Sequence, residues 1–288
     1  MAITVNTNIP SLTAQASLNS ATNKMNTAME RMSTGARINS SKDDAAGMAV
    51  SNKLDYKVSS FKVAQDNAQM GSSLLDTMEG VMGVINDNLT RIRDLTEQAS
   101  NGTYGSDAIK AIKTEITARL TEIDRVANSA EFNGKKVLDG TLATSGGIKL
   151  QVGIETAPAS GTNNSVIELG SDVFQNCTKT GLGFTNSNVP QDTWDDSNYR
   201  TFLGTIDTAI TNVTKAMTEI GGKQAAISSA MESAQVMATN LTSASSLIKD
   251  ADIAEESSNY IKQQILQQTS ASLLATANQA PSIALNLV

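Results

Sequence analysis

The sequence predicts a mainly α protein: a long antiparallel, coiled-coil-like helical bundle formed by both chain ends, with a small β-hairpin module in the middle. Three observations lead there. Near the N-terminus, Leu18, Ala21, Met25, Ala28 and Met32 alternate in steps of three and four. Near the C-terminus the same alternation runs through Ile206, Ile210, Val213, Met217, Ile220, Gln224, Ile227, Met231, Ala234, Ala238, Leu241, Ser245 and Ile248. A repeat of ~3.5 residues gathers such side chains on one seam. Between the ends, from Val137 to about Ser197, the texture changes to Gly, Thr, Ser and Asn with short alternating runs. A seam as long as the C-terminal one needs a partner helix, and the other end of the same chain can supply it.

The elements follow in order. Pro10 suits a first helical turn, where its missing N–H costs nothing. The first helix is expected to fade at Gly35, a natural C-terminal stop. A second begins after Ser41-Lys42-Asp43-Asp44, where a capping Ser precedes a carboxylate by three positions, close to a capping box. Its seam runs Leu54, Val58, Phe61, Gln65 and Ala68, slips near Gly71, and resumes as Leu75, Met78, Met82, Ile85, Leu89 and Ile92. At ~1.5 Å rise per residue this helix is ~80 Å long. Asn101 to Gly105 breaks it, and Ser106 and Asp107 offer caps for a shorter helix carrying Ile109, Ile112, Ile116, Leu120, Ile123 and Val126. The Asn133-Gly134 pair closes a turn, because Asn-Gly favours positive backbone angles.

In the middle, Ile148, Leu150, Val152 and Ile154, then Val166, Ile167 and Leu169, read as β-hairpins. Trp194 reads as a packing anchor more than as a ligand site. The last long helical region runs from about Asn198 to Ser246. Gly221-Gly222 costs it ~2 kcal/mol relative to two alanines, so a loosened turn is expected there. Lys249 to Asp252 interrupts the seam, which resumes out of phase at Ile261, Ile265, Thr269, Leu273 and Ala277 and ends at Pro281. The breaks near Gly35 and Lys249 divide the chain. Residues 1–41 and 247–288 form a terminal helical pair, and 42–246 a helical body with its insert at about 137–197.

Composition excludes several functions. The 288 residues contain no histidine, which removes zincin motifs and most nucleophile–base pairs. Gly221-Gly222-Lys223 lacks the spacing of a P-loop. Adjacent carboxylates such as Asp195-Asp196 do not face one another on a helix; they read as caps or a solvated face. No catalytic residue, cofactor or metal is assigned. A net charge of −7 argues against nucleic acid. No segment approaches the ~20 apolar residues of a membrane span, and the start lacks the pattern of a cleaved secretory signal. The single cysteine, Cys177, leaves no intrachain disulfide. With aromatics at 3%, and Ala and Met at many seam positions, the terminal seams bury little area alone and call for neighbours. Leu18, Met25, Met32, Ile261, Ile265 and Leu273 are therefore the expected assembly seams. Arg31, Arg37, Asp43 and Asp252 cluster at the two breaks, as contacts between subunits or as solvated caps.

Short blocks at both ends form a recognisable set in a fixed order. In the first half they are Ala2 to Asn8, Met32 to Ser40, Asp43 to Gly47, Arg91 to Leu95, Glu122 to Val126, and Glu131 to Gly134 with Val137 to Gly140. In the second they are Asn240 to Ala244, Asp250 to Asp252, Gln264 to Gln268 and Ala275 to Gln279. Through these blocks the chain resembles bacterial flagellin. The insert is short, so the resemblance implies that the large outer domains of long flagellins are absent. It further implies the self-assembling subunit of an extracellular flagellar filament, exported unfolded by the flagellar type III apparatus. The terminal pair would form an inner tube and the body an outer tube. Implied partners are further copies, the filament cap, hook–filament junction proteins, an export chaperone and the vertebrate Toll-like receptor that senses flagellin.

For that receptor the resemblance points to Arg91, Leu95 and Glu115, with a lateral packing contact as the plain alternative. Ser160, Thr162, Ser165 and Ser187 are O-glycosylation candidates, taken as exposed from composition. The alternative for the whole chain is a hook–filament junction protein or another exported coiled-coil adaptor, distinguished from a filament subunit by the dense matches at Glu131 to Gly140 and Gln264 to Gln279.

Overall fold

The computed structural model describes residues 7–155, 164–185, 189–191 and 193–285, with side chains to Gln279. Helices dominate: α1 (Ile9–Thr34), α2 (Ala45–Ala99), α3 (Ser106–Ser129), the single turn α4 (Thr141–Thr144), α5 (Asp196–Lys249) and α6 (Ile253–Leu285). Two small antiparallel pairs sit between them: β1 (Glu131–Phe132) with β2 (Lys135–Lys136), and β3 (Ile148–Gln151) with β4 (Val166–Leu169). The chain divides into two compact units, one of residues 1–58 and 239–288, the other of residues 59–238. Helices α2 and α5 contribute residues to both.

In the first unit, α1 packs against α6. Asn8 caps α1 by accepting from the Ser11 N–H at 3.1 Å. Gly35 ends it in the left-handed region at φ 70°, donating back to the Arg31 carbonyl. A left-handed residue at a helix end is cheapest as glycine, which is why the helix stops here. Ala21 and Ala28 are buried and Leu18, Met25 and Met32 half-buried, so this seam faces inward as read. The cap of α2 differs from the reading: Asp44, not Ser41, accepts from the Gly47 N–H at 2.8 Å.

The second unit holds the main core. Leu75, Met78, Met82, Ile85, Leu89 and Ile92 of α2 meet Ile116, Leu120 and Ile123 of α3 and Ile206, Val213, Ile220 and Ile227 of α5. Every position of the thirteen-residue α5 seam read from the sequence, Ile206 to Ile248, is buried or half-buried. No break occurs at Gly221-Gly222; α5 runs unbroken from Asp196 to Lys249. Neighbouring packing outweighs a propensity cost of ~2 kcal/mol. Polar side chains tie α2 to α5 along their edge: Gln65 to Gln235 at 2.9 Å, Gln224 to Asp76 at 2.8 Å, Arg93 to Asp207 at 2.7 Å. Asn133 (φ 47°) and Gly134 (φ 78°) make the tight β1–β2 turn. Trp194 stacks edge-on against Tyr199 and Phe202 at centroid distances of 5.4 and 5.5 Å, an anchor as expected.

One reading of α6 needs correction: the helix does not end at Pro281 but runs to Leu285. The apolar row Ile261, Ile265 and Leu273, expected to serve assembly, points away from α1. The row that faces α1 is Glu256, Gln263, Gln267, Ser270 and Leu274. At ~100° per residue, Ile261 and Ile265 lie roughly opposite that row.

Candidate self-assembly surface

The turned-out row of α6 is the most unusual surface of the first unit. Ile253, Ile261, Ile265, Leu266 and Leu273 are 44–58% exposed. On α1, Ile9, Leu12 and Met29 are similarly open. Beneath the row, the α1–α6 contact is held by polar bonds. Gln267 donates to the Thr22 hydroxyl at 3.0 Å, Ser11 to Asn278 at 2.7 Å and the Asn8 amide to the Ala277 carbonyl at 2.7 Å. A helix pair joined by amides, alanines and half-buried Leu and Met side chains, with a second row of large aliphatic side chains left outside, is built to be covered by something else.

The two chain breaks meet. Ala36 and Asp250 form a β-bridge, with the Arg37 N–H donating to the Lys249 carbonyl at 2.6 Å and the Ala251 N–H to the Gly35 carbonyl at 2.9 Å. The charged residues singled out at these breaks all have internal roles. Arg31 pairs with Glu256 at 2.9 Å across α1 and α6. The Arg37 guanidinium donates to the Ile248 carbonyl at 2.7 Å. Asp252 caps α6 by accepting from the Ala254 and Glu255 N–H groups at 2.8 and 3.2 Å. Asp43 Oδ2 gathers the Ser40 N–H at 2.9 Å, the Asn39 N–H at 3.2 Å and the Ser40 hydroxyl. Those bonds, the Ser40 N–H foremost, hold its carboxyl below the usual carboxylate range.

Of the receptor candidates, two come together and one does not. Arg91 pairs with Glu115 at 3.1 Å on the surface, and Arg119 joins the same carboxylate oxygen at 3.1 Å. The Arg119 hydrogen bond, with Arg91 behind it, lowers the Glu115 pKa. Leu95 corrects the reading: it is 2% exposed, packed in the core after Ile92. Its position three residues after Ile92 continues the α2 seam, a signal the four-residue spacing from Arg91 concealed. Among the glycosylation candidates, Ser160, Thr162 and Ser187 lie outside the described residues. Ser165 is buried, contrary to the exposure taken from composition, because its hydroxyl accepts from the Glu155 N–H at 3.1 Å at the end of the β3–β4 hairpin. Cys177 is buried in the core, and desolvation pushes its thiol up to about 12. Among the described residues, no group of His, Cys, Asp and Glu could hold a metal, and no helix is long and apolar enough to cross a membrane.

Sequence reasoning missed that α6 has two rows, not one. The signal was present: Gln263, Gln267 and Ser270 repeat at the same spacing as the aliphatic row, and the small, polar-flanked α1 seam suits them.

Comparison with known proteins gives this surface its context. The bacterial flagellin N-terminal helical region matches residues 5–143, and the bacterial flagellin C-terminal helical region matches residues 203–288. The chain belongs to the bacterial flagellin family. A flagellin of Xenorhabdus nematophila is 35% identical over 315 aligned positions, covering all of both chains. The flagellar filament 33 kDa core protein of Treponema phagedenis is 32% identical over 294 positions, covering 99% of each. The crystal structure of Bacillus cereus flagellin is 28% identical and aligns over 62% of this chain and 94% of that one, with a TM-score of 0.46. As a flagellin, the chain is a structural component of the extracellular flagellar filament. The matched segments are the helical ends; the β3–β4 module falls outside both.

Proposed function

We propose that this flagellin polymerises through the outward aliphatic rows of its terminal helices, which are covered only by neighbouring copies. The observation that carries this reading is that Ile261 and Ile265 turn away from their own partner helix and remain more than half exposed. Fully burying an Ile or Leu is worth ~1.5–3 kcal/mol, so covering the open halves of the α6 row supplies several kcal/mol per subunit. Contacts that repeat without closing give an open helical array.

In this reading residues 1–41 and 247–288 line the inner tube, and 42–246 form the outer tube. Terminal helices that gain their cover only on assembly also suit export as an unfolded chain through the flagellar type III apparatus, with an export chaperone, the junction proteins and the cap as successive partners. Deletion of Ser257–Val288 is the test. Electron microscopy after seeding is expected to show no filaments from the truncated chain, while circular dichroism retains the helix of the second unit. Normal filament growth by that truncation would overturn the reading.

The exposed Arg91–Glu115 pair favours a second role, recognition by the vertebrate flagellin-sensing Toll-like receptor. With Leu95 in the core, the guanidinium carries that contact. Arg91→Ala is then expected to weaken receptor binding by ~2 kcal/mol, as for an interface hot spot; unchanged signalling with the fold intact would reject it.

A further inference from the structure

The second unit carries two Asn-Gly pairs at exposed turns, Asn101-Gly102 and Asn133-Gly134, and holds them differently. In such a pair the glycine nitrogen can close a five-membered ring on the asparagine side-chain carbonyl carbon. With no Cβ on the second residue, that approach is open. Whether the ring forms depends on how the two groups are held.

Asn133-Gly134 is clamped. Phe132 pairs with Lys135 directly across it, and both turn residues are fixed at positive φ, 47° and 78°. Asn101-Gly102 lies instead in the open turn between α2 and α3, held by long bonds: the Asn101 N–H donates to the Gln98 carbonyl at 3.2 Å and the Tyr104 N–H to the Asn101 carbonyl at 3.3 Å. Its remaining polar groups suit a reaction. The Thr103 N–H donates to the Asn101 side-chain oxygen at 3.3 Å, which polarises the carbonyl and stabilises negative charge developing on that oxygen. Among the described residues nothing accepts from the Gly102 N–H. The Asp196 carboxylate lies against Gly102, where a Cβ would meet its Oδ2 at 2.8 Å. Asp195, not Asp196, caps α5, accepting from the Ser197 and Asn198 N–H groups at 3.1 and 3.0 Å. That leaves the exposed Asp196 carboxylate without another partner among the described residues.

We propose that Asn101 deamidates within the folded chain, with the Gly102 nitrogen as nucleophile and Asp196 as base. The nitrogen attacks Asn101 Cγ and gives its proton to the Asp196 carboxylate. The new C–N bond closes a succinimide as the Cγ–NH2 bond breaks; the departing group takes the proton back and leaves as ammonia. Water then opens the ring. Cleavage at Cγ yields aspartate in a normal chain, and cleavage at the main-chain carbonyl yields isoaspartate, with the backbone running through Cγ. Each event puts a carboxylate where a neutral amide stood, at a turn already flanked by Asp107 and Asp196. The site does not depend on the filament reading.

The test uses the full-length monomer, incubated at neutral pH, sampled over weeks and digested with trypsin. Residues 94–110 and 126–135 are released as separate peptides. Mass spectrometry with fragmentation follows amide-to-acid conversion at Asn101 and Asn133, and an isoaspartyl methyltransferase labels isoaspartate. The same chain in guanidinium chloride gives both rates without structure. Asn101 is expected to convert in the folded monomer at least as fast as in denaturant, while its hairpin slows Asn133 about ten-fold or more. Asp196→Asn should slow conversion of Asn101 about ten-fold or more, with melting and the Asn133 rate unchanged. Asp196→Glu should recover part of the rate. In denaturant the Asp196→Asn effect should vanish, because only the fold brings this carboxylate to Gly102. Slower conversion of Asn101 in the folded chain than in denaturant, or equal folded rates for D196N and the parent, would overturn the proposal.

Discussion

In α5 the apolar positions are covered by the subunit's own core, Ile206, Val213 and Ile220 being at most 1% exposed, whereas in α6 Ile261, Ile265 and Leu273 are each more than half exposed. Both helices are regular and long. What separates them is the partner. Helix α5 meets Met78, Met82, Ile85 and Leu89 of α2, large side chains that reward large side chains. Helix α6 meets α1, whose most buried positions are Ala21 and Ala28 between half-buried Leu18, Met25 and Met32, and the row it turns inward is Gln263, Gln267, Ser270 and Leu274. One narrow seam covers one stripe of α6, and the stripe on its far side has no partner within the pair. The aliphatic row of α6 is thereby left outside, where only another molecule can cover it.

That contrast predicts opposite phenotypes for the same kind of substitution. Leu89→Ala in the core should cost the monomer about 2–5 kcal/mol, from lost transfer energy and the cavity left behind. Ile261→Ser with Ile265→Ser should leave urea unfolding of the monomer within about 0.5 kcal/mol of the parent. Yet it should raise the critical concentration for filament growth about ten-fold or more. A double serine variant that unfolds easily but polymerises normally would invert the assignment.

Hydrogen exchange sharpens the same comparison without mutation. In the free monomer, amides of α1 and α6 should exchange orders of magnitude faster than those of α5 around Val213, because few large contacts hold the terminal pair. After assembly the terminal amides should slow the most. Equal protection in both regions of the monomer would mean that α1 and α6 stabilise each other more than their narrow seam suggests.

Helix positions and the core were legible because apolar spacing is dense there: the α5 seam, the Gly35 stop, the Asn133-Gly134 turn and the Trp194 anchor all follow from local chemistry. Less legible was anything set by a second element. Periodicity shows that Ile261 and Ile265 share a face but not which neighbour that face meets. Leu95 looked like a companion of Arg91 because four residues span one helical turn, while its place on the α2 seam is decided by α3 and α5 packing around it. Composition suggested an exposed Ser165, whereas the hairpin end closes over its hydroxyl. For Ser41 and Asp44, two capping groups compete, and the one nearer the first core-facing turn prevails.

A smaller effect is expected at Gly221-Gly222. Both are exposed helical residues, and a Cβ at either meets nothing within 4 Å. Replacing either by alanine should therefore stabilise the monomer by up to ~1 kcal/mol through helix propensity alone. A rise of a few degrees in melting temperature would fit the unbroken α5; a fall would mean that the glycines relieve a strain within the helix.

The smallest predicted effect lies at the break between α1 and α2 and depends on pH. Asp43 gathers the Ser40 and Asn39 N–H groups, so its folded pKa lies below the ordinary value of 3.8. A carboxyl depressed on folding contributes stability that is present above its unfolded pKa and lost as pH falls through the folded one. The group is fully exposed, so solvent screens it and the contribution is small. Asp43→Ala should lower the melting temperature slightly at neutral pH, and the gap between variant and parent should narrow below about pH 3.8 as the parent's carboxyl takes up its proton. A gap that stays constant far into the acid range would assign the effect to loop geometry and not to the charge, because the neutral side chain would then hold residues 39–40 as well as the carboxylate does.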